Sequence, residues 1–400
     1  MRFRQLFIAE STQTNLQQSV TILNNLREYD SHAFKIKTMK KLTPIFLVVV
    51  CINTTISCKK ETIVKETETL KAVASQSISS NSLINTKANF GVLVTALSGD
   101  DKITVAKLLG VKYVRQSLIL KDFTGELPLT DKYLSNGFKV ILNLNYKPIQ
   151  NYKGERVPKL FPTDMIEYRN TLNKVFDKYT PEIAVIENEP LNDNHYKDTI
   201  ENYIRELKNA VEVCNQRGIK VADGGAFSAQ TCCILVYKDY FSRGMQAEAD
   251  DFAKRAGMED RFIKAAKGKG SNQRLLVKIR EAEKMVKADA ALNLDFVNIH
   301  WYEPLSDYND PRISAPGVLK EVADYFRRKT GKKIITNEYG QLNDKPALTT
   351  SMIDAFRSAN FKYAIIYSGT DADGLRTTQS LNDGILLTLI GEAFALAMIL

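Results

Sequence analysis

Two short motifs in the chain place a glutamate directly after an asparagine: Asn188-Glu189-Pro190 and Asn337-Glu338-Tyr339. Each motif follows a short run of β-branched and apolar residues. Two neighbouring carboxyl groups can divide acid/base and nucleophilic work, because one is protonated while the other is ionised. We therefore take Glu189 and Glu338 as the candidate catalytic pair. By strand alternation, Glu187 is the alternative acid.

The elements that must position this pair alternate between short strand-like runs and amphipathic helical stretches, a pattern typical of a parallel sheet wrapped by helices. It predicts a single (β/α)₈ barrel, of class α/β, over residues 89–400. The eight candidate strands are Phe90 to Val94, Tyr113 to Ser117, Lys139 to Asn143, Ile183 to Ile186, Lys220 to Ala222, Phe296 to Ile299, Lys333 to Thr336 and Tyr363 to Tyr367.

The helical stretches between these runs include 102–109, 164–178, 199–217 and 317–330. The stretch from Phe227 to Leu294 exceeds one crossover, so we expect an inserted helical segment between strands five and six, near the active-site rim. The apolar run 384–400 is interrupted by Gly391-Glu392 and stands where the eighth barrel helix belongs. It predicts a buried or half-buried helix rather than a membrane anchor.

Active sites of (β/α)₈ barrels lie at the carboxyl ends of the strands. Apart from the two glutamate motifs, the residues at those ends are Arg115, Asn143 or Asn145, and His300-Trp301-Tyr302.

In this order along the chain, the motifs resemble clan A glycoside hydrolases, the (β/α)₈ families that include cellulase-, mannanase- and xylosidase-type enzymes. Asn188-Glu189-Pro190 resembles their strand-four motif, and Glu338 stands where they carry a strand-seven nucleophile. Arg115 and His300-Trp301-Tyr302 match further residues of strands two and six. The resemblance covers roughly residues 88–400, and the four matches fall in the correct strand order.

The resemblance implies retaining hydrolysis of a poly- or oligosaccharide, with Glu189 as acid/base and Glu338 as nucleophile. Arg115 and Tyr302 would hold the pKa of Glu338 down, and proximity to that anion would raise the pKa of Glu189. Asn188 would bind the sugar 2-hydroxyl. The predicted substrate-binding residues are Arg115, Asn145, Asn188, His300, Trp301, Tyr302 and Tyr367, with Tyr146 and Tyr339 as further stacking candidates.

Several of these residues have a plainer interpretation. Arg115 could serve in a surface ion pair, His300 could be a structural histidine, and the aromatic residues could pack in the core or at the rim. The chain also departs from the family at strand eight, where Tyr367 stands in place of a frequent tryptophan. Catalytically inactive glycan binding by a surface lipoprotein is therefore the alternative function.

The amino-terminal segment predicts export. From Met39 the chain has two lysines, an apolar run over 45–52, and small and polar residues up to Cys58, as in a secretory signal. Residues 1–38 are then an extension upstream of the natural start, or alternatively a disordered tail. Ser57-Cys58 resembles a bacterial lipobox with Cys58 as the lipidation site, plain secretion being the alternative. Residues 59–88 read as a flexible tether.

The charge and composition argue against several other functions. Residues 1–60 hold nine Lys/Arg against three Asp/Glu, so +6 of the net +9 lies there and +3 is left for the other 340 residues. We therefore expect no nucleic-acid partner, and membrane contact only through the lipid anchor. The chain has three histidines, and its five cysteines show no Cys-x-x-Cys spacing. We therefore expect no metal site and no cofactor. A metal-dependent sugar isomerase is a third interpretation.

Overall fold

Eight parallel strands close into a barrel in the computed structural model, which describes residues 88–152, 155–302, 315–341, 344–369 and 380–399. The strands are β1 Asn89–Val94, β2 Tyr113–Ile119, β3 Lys139–Asn145, β4 Ile183–Ile186, β5 Val221–Asp223, β6 Phe296–Tyr302, β7 Lys333–Gly340 and β8 Tyr363–Ser368. Each strand pairs in parallel with the next, and β8 pairs with β1. The predicted (β/α)₈ barrel is confirmed, with all eight strands at the predicted places.

Eleven helices are formed by the described residues. They are α1 Gly99–Leu108, α2 Pro128–Ser135, α3 Met165–Lys178, α4 Ile200–Gln216, α5 Ala229–Ser242, α6 Gln246–Arg255, α7 Asp260–Ala266, α8 Gln273–Ala291, α9 Ala315–Thr330, α10 Pro346–Ser358 and α11 Leu389–Ile399. Four of them, α5 to α8, lie between β5 and β6. Within the described ranges, none of the helices has the length and apolar character needed to cross a bilayer.

The predictions for the amino-terminal 87 residues lie outside the described part of the chain. They concern the upstream extension, the export signal, lipidation of Cys58 and most of the tether, and they stay predictions.

The core has two apolar layers, because alternate residues of each strand face the barrel interior and the surrounding helices. The larger layer lies between strands and helices. The inner layer fills the barrel and consists of Ile141, Ile183, Val185, Ala222, Phe296, Ile335, Tyr363 and Ile365. The packed interior supports the barrel mouth, where the strands end.

Gly91 of β1 shows how tightly this interior is filled. A Cβ atom at Gly91 would lie 2.4 Å from the carbonyl oxygen of Tyr113 and 2.6 Å from Cδ1 of Ile365. Both distances are below van der Waals contact, and one of the atoms belongs to the backbone. The neighbouring strand β2 can therefore approach β1 at this level only because residue 91 has no side chain.

We predict that Gly91→Ala lowers the free energy of unfolding by about 1–3 kcal/mol through overpacking. The matched control is Gly99→Ala at the start of α1, where the added Cβ would meet its nearest side-chain atom at 3.4 Å. Urea unfolding of both variants checks this. Equal stability of the two variants would contradict the packing described here.

Candidate active site

Arg115 of β2 is the centre of the polar cluster at the barrel mouth. Its side chain is 2% exposed and forms an ion pair with Glu338. The second terminal nitrogen donates to Oδ1 of Asn143 at 3.1 Å and to Oδ1 of Asn188 at 2.6 Å. One guanidinium thus connects the ends of strands β2, β3, β4 and β7, which excludes the interpretation of Arg115 as a surface ion-pair residue.

A bulge in β7 turns two consecutive residues toward the cluster. The register of β7 against β6 shifts between Ile335 and Glu338, and Oγ1 of Thr336 donates to the carbonyl oxygen of Glu338 at 2.8 Å. Bulges of this kind re-aim side chains that strict alternation would direct to opposite faces. The side chain of Glu338 therefore pairs with Arg115, and the side chain of Asn337 reaches Asn143 and His300 in the same cluster.

Strand β4 ends in an equally unusual backbone. Glu187 has φ 64° and Glu189 has φ 52°, both in the left-handed region that non-glycine residues rarely adopt. The conformation is held by backbone bonds from Glu187 N–H to Leu144 and from Glu189 N–H to Gly224. Strain of this kind is found at functional sites when the surroundings enforce it.

The carboxylate of Glu187 is buried and bonded to three donors. It accepts hydrogen bonds from the backbone N–H of Tyr146 at 2.6 Å, from Nζ of Lys159 at 2.7 Å and from the hydroxyl of Tyr196 at 2.6 Å. These three donors anchor the loops that flank β4. Glu187 is thus a support for the strand end, and Glu189 is the carboxyl group that faces Glu338.

Glu189 and Glu338 lie close together across the barrel mouth. Glu189, Glu338 and His300 each present one ligand-type atom, and these three atoms lie within 4.8 Å of one another. Carboxylate oxygens and imidazole nitrogens are metal-ligand atoms, so the trio has the donor types of a metal site. The Arg115 cation already neutralises Glu338, however, which disfavours a second cation there.

His300 and the loop after β4 surround the Glu189 carboxyl. Nδ1 of His300 is 3.0 Å from one carboxyl oxygen, and Nδ2 of Asn192 donates to the other at 2.7 Å. Nδ1 of His195 lies 3.5 Å from that second oxygen. Sequence reasoning missed Asn192 and His195; their only signal was their closeness to Glu189 in the chain.

The electrostatics of the two glutamates agree with prediction in one case only. Burial raises the pKa of the Glu338 carboxyl, but Arg115, with His300 and the Tyr302 hydroxyl at 2.6 Å, holds that pKa below its usual range. We expected a raised pKa at Glu189. Burial does raise it, but the hydrogen bond and charge of His300 outweigh burial and lower the pKa of Glu189 to about 2.

The two glutamate carboxyl groups in turn shift the pKa values of His300 and Tyr302. Burial lowers the pKa of the His300 imidazole, but the charges of Glu338 and Glu189 raise it above its ordinary value. Burial and the Glu338 charge raise the pKa of Tyr302 well above its usual range, so that residue is a neutral phenol that donates to Glu338.

Two predicted substrate-binding residues lie elsewhere. Trp301 is 2% exposed and packs in the outer core layer, because it follows His300 by one position and so faces the helices. Asn145 is also buried, and its Oδ1 accepts from Nζ of Lys159 at 2.9 Å. The β3 amide that reaches the cluster is Asn143, the other candidate. Tyr146 and Tyr339 are likewise core residues.

Tyr367 of β8 remains a candidate platform. It is half-buried and follows Ile365 of the inner core layer by two positions, so it shares the inward face of the strand. A Cβ atom at residue 369 would lie 2.1 Å from the Tyr367 hydroxyl, so Gly369 leaves the space that the phenol ring occupies. Its contact with a sugar stays a prediction.

No protein-family model and no curated protein matches the chain. Three solved structures with a similar fold are 11% to 14% identical to the chain. A family 128 endo-β-1,3-glucanase from Amycolatopsis mediterranei is 12% identical, with 78% of this chain and 99% of that chain covered and a TM-score of 0.44. A family 39 glycoside hydrolase from Bacteroides cellulosilyticus is 14% identical, with 79% and 64% covered and a TM-score of 0.47.

An exo-β-1,4-mannosidase from an Opitutaceae bacterium is 11% identical, with 78% of this chain and 60% of that chain covered and a TM-score of 0.49. At such identities the likeness concerns the barrel fold.

We predict that substitutions at the neighbouring residues Tyr302 and Trp301 affect different properties of the protein. Tyr302→Phe removes a donor to Glu338 and raises the pKa of that carboxyl, which ¹³C-glutamate NMR measures. Trp301→Phe leaves that pKa unchanged and lowers the free energy of unfolding by roughly 1–3 kcal/mol, as typical for loss of core volume. A changed Glu338 pKa in Trp301→Phe would mean that the indole lies at the site after all.

Proposed function

We propose that the protein is a glycosidase that hydrolyses a poly- or oligosaccharide with retention of anomeric configuration. The observation that carries the proposal is the approach of Glu189 and Glu338 at the barrel mouth, with carboxyl oxygens within 4.8 Å. Retaining enzymes hold their two carboxyl groups about 5 to 5.5 Å apart, whereas inverting enzymes need about 6.5 to 9.5 Å to admit a water molecule.

The different surroundings of the two carboxyl groups support distinct roles. Glu338 is ionised because Arg115 and Tyr302 satisfy both of its oxygens, which suits a nucleophile. Glu189 is bonded to His300, a side chain able to exchange a proton with it. Glu189 therefore suits the acid/base role.

The reaction has two steps. In the first, a carboxylate oxygen of Glu338 bonds to the anomeric carbon, the glycosidic C–O bond breaks, and the departing oxygen takes a proton from Glu189. In the second, water attacks the anomeric carbon and gives a proton back to Glu189, and the ester bond to Glu338 breaks. Two inversions at one carbon give net retention.

Asn188 and Arg115 prepare the sugar site. Oδ1 of Asn188 accepts from Arg115 at 2.6 Å, so the residue can offer only its amide nitrogen to a ligand. A donor fixed in this way suits the sugar 2-hydroxyl, whose hydrogen bond strengthens in the transition state. Arg115 thus acts on both the nucleophile and the binding amide.

We predict that alanine substitutions at the two glutamates have different signatures. Glu189→Ala lowers turnover of substrates with poor leaving groups by about 10²–10⁴-fold, the usual contribution of general acid catalysis, but affects activated aryl glycosides less. Azide then rescues Glu189→Ala with a glycosyl azide of retained configuration. It rescues Glu338→Ala with the inverted azide.

The control is Glu212→Ala on the outer helix α4, where the carboxylate pairs with Arg169 at the surface; it should behave as wild type. The measurement is product configuration by NMR over a panel of aryl glycosides. Undiminished hydrolysis by either active-site variant would contradict the mechanism. Glycan binding without turnover by the wild type would instead support the inactive-barrel alternative.

A further inference from the structure

The hydrogen bonds around Arg115 determine how two asparagine amides are oriented. A guanidinium can only donate, so Asn143 must turn its Oδ1 toward Arg115. The same orientation lets Nδ2 of Asn143 donate to the carbonyl oxygen of Glu187 at 3.1 Å. Nδ2 of Asn337 in turn donates to Oδ1 of Asn143 at 3.0 Å.

Asn298 of β6 fixes Asn337 independently from the opposite side. Its Oδ1 accepts from the backbone N–H of Asn337 at 2.9 Å, and its Nδ2 donates to the carbonyl oxygen of Asp223 at 3.2 Å. Because backbone groups cannot exchange donor and acceptor, the orientation of Asn298 is determined. Nδ2 of Asn298 also donates to Oδ1 of Asn337 at 2.7 Å.

The hydrogen bonds through Asn143 and through Asn298 both turn Oδ1 of Asn337 toward His300. Oδ1 of Asn337 lies 2.8 Å from Nε2 of His300, and an amide oxygen can only accept. Nε2 must therefore carry a proton. The ring fits in this place because residue 225 is a glycine with φ 71°, at which a Cβ atom would lie 2.1 Å from Nε2.

With Nε2 protonated, the protonation of the other ring nitrogen, Nδ1, depends on the Glu189 carboxyl that faces it. Nδ1 lies 3.0 Å from the Glu189 carboxyl oxygen, so either the ring is an imidazolium facing a carboxylate, or a neutral ring accepts from a protonated carboxyl. We infer that His300 and Glu189 share a single exchangeable proton, and that Asn337 is the positioning residue that fixes the His300 tautomer for this exchange.

Charged groups surround His300 on every side. Glu338 of β7 and Glu189 after β4 favour the imidazolium, whereas Arg115 of β2 opposes it. Asp223 of β5 is buried nearby, and His195 contacts the far oxygen of Glu189. The two acidic neighbours in the cleft outweigh the single cation and the effect of burial, so the pKa of the His300 imidazole is raised above its ordinary value.

A shared proton would supply the acid step of the proposed function, and its role in catalysis rests on that proposed function. While His300 is an imidazolium, Glu189 is a carboxylate whose pKa is lowered to about 2, so it has no proton of its own to give at neutral pH. Transfer from Nδ1 to Glu189 during departure of the leaving oxygen resolves this. The proton leaves Nδ1, bonds to the carboxyl, and passes from the carboxyl to the sugar oxygen.

The test is ¹⁵N NMR of the full chain labelled at histidine. The protein has three histidines, and His300→Gln identifies the relevant signals. We expect Nε2 of His300 to carry a proton at every pH at which the chain is folded. A neutral His300 ring with a bare Nε2 would overturn the inference.

Two variants probe the shared proton and the positioning residue. Glu189→Gln should move the Nδ1 titration of His300 to lower pH, because the facing carboxylate is lost; an unchanged midpoint would overturn proton sharing. Asn337→Leu should allow the neutral ring to adopt the Nδ1-protonated tautomer. Asn145→Ala, another buried strand-end asparagine, is the control and should leave the tautomer unchanged.

None of these measurements requires a substrate. The wild-type spectrum and the Glu189→Gln titration decide the inference even if Asn337→Leu fails to fold. Proton sharing in a protein without glycosidase activity would sink the proposed function but keep the inference. Glycosidase activity with a His300 that is not protonated at Nε2 would overturn the inference but keep the proposed function.

Discussion

The ion pair between Arg115 and Glu338 is the interaction on which the rest of the site depends. Two buried charges are costly to desolvate, and removing one partner of such a pair typically costs about 3–5 kcal/mol. The cost is met here by additional bonds from the same guanidinium to Asn143 and Asn188. One arginine therefore holds both the proposed nucleophile Glu338 and the amide of Asn188 proposed to bind the sugar.

The backbone makes this convergence possible at two places. The bulge in β7 brings Asn337 and Glu338 into the same cluster, and the left-handed residues Glu187 and Glu189 turn the end of β4 toward it. Regular strands would have directed neighbouring side chains to opposite faces. The packed barrel interior below supplies the rigidity that holds such irregular strand ends in place.

Sequence reasoning recovered the barrel because period-two runs and helix patterns alternate regularly, and it recovered the glutamate pair because barrel strands end at a common face. It failed at Trp301, since the sequence motif does not say which residue of the strand faces inward. The prediction of a raised pKa at Glu189 was wrong. The hydrogen bond from His300 that lowers this pKa is a tertiary contact, which the sequence alone does not show. Asn298 escaped notice because nothing local marks it, and the only signal for His195 was its closeness to Glu189 in the chain.

The proposed mechanism requires Glu338 to form a covalent bond to the sugar. The most direct measurement is mass spectrometry of the protein after incubation with activated 2-deoxy-2-fluoro glycosides, each derived from a sugar whose aryl glycoside the protein is found to hydrolyse. We expect one glycosyl group per chain, located by peptide mapping on Glu338. A glycosyl group on another residue, or hydrolysis of the parent sugar with inverted configuration and no adduct, would contradict it.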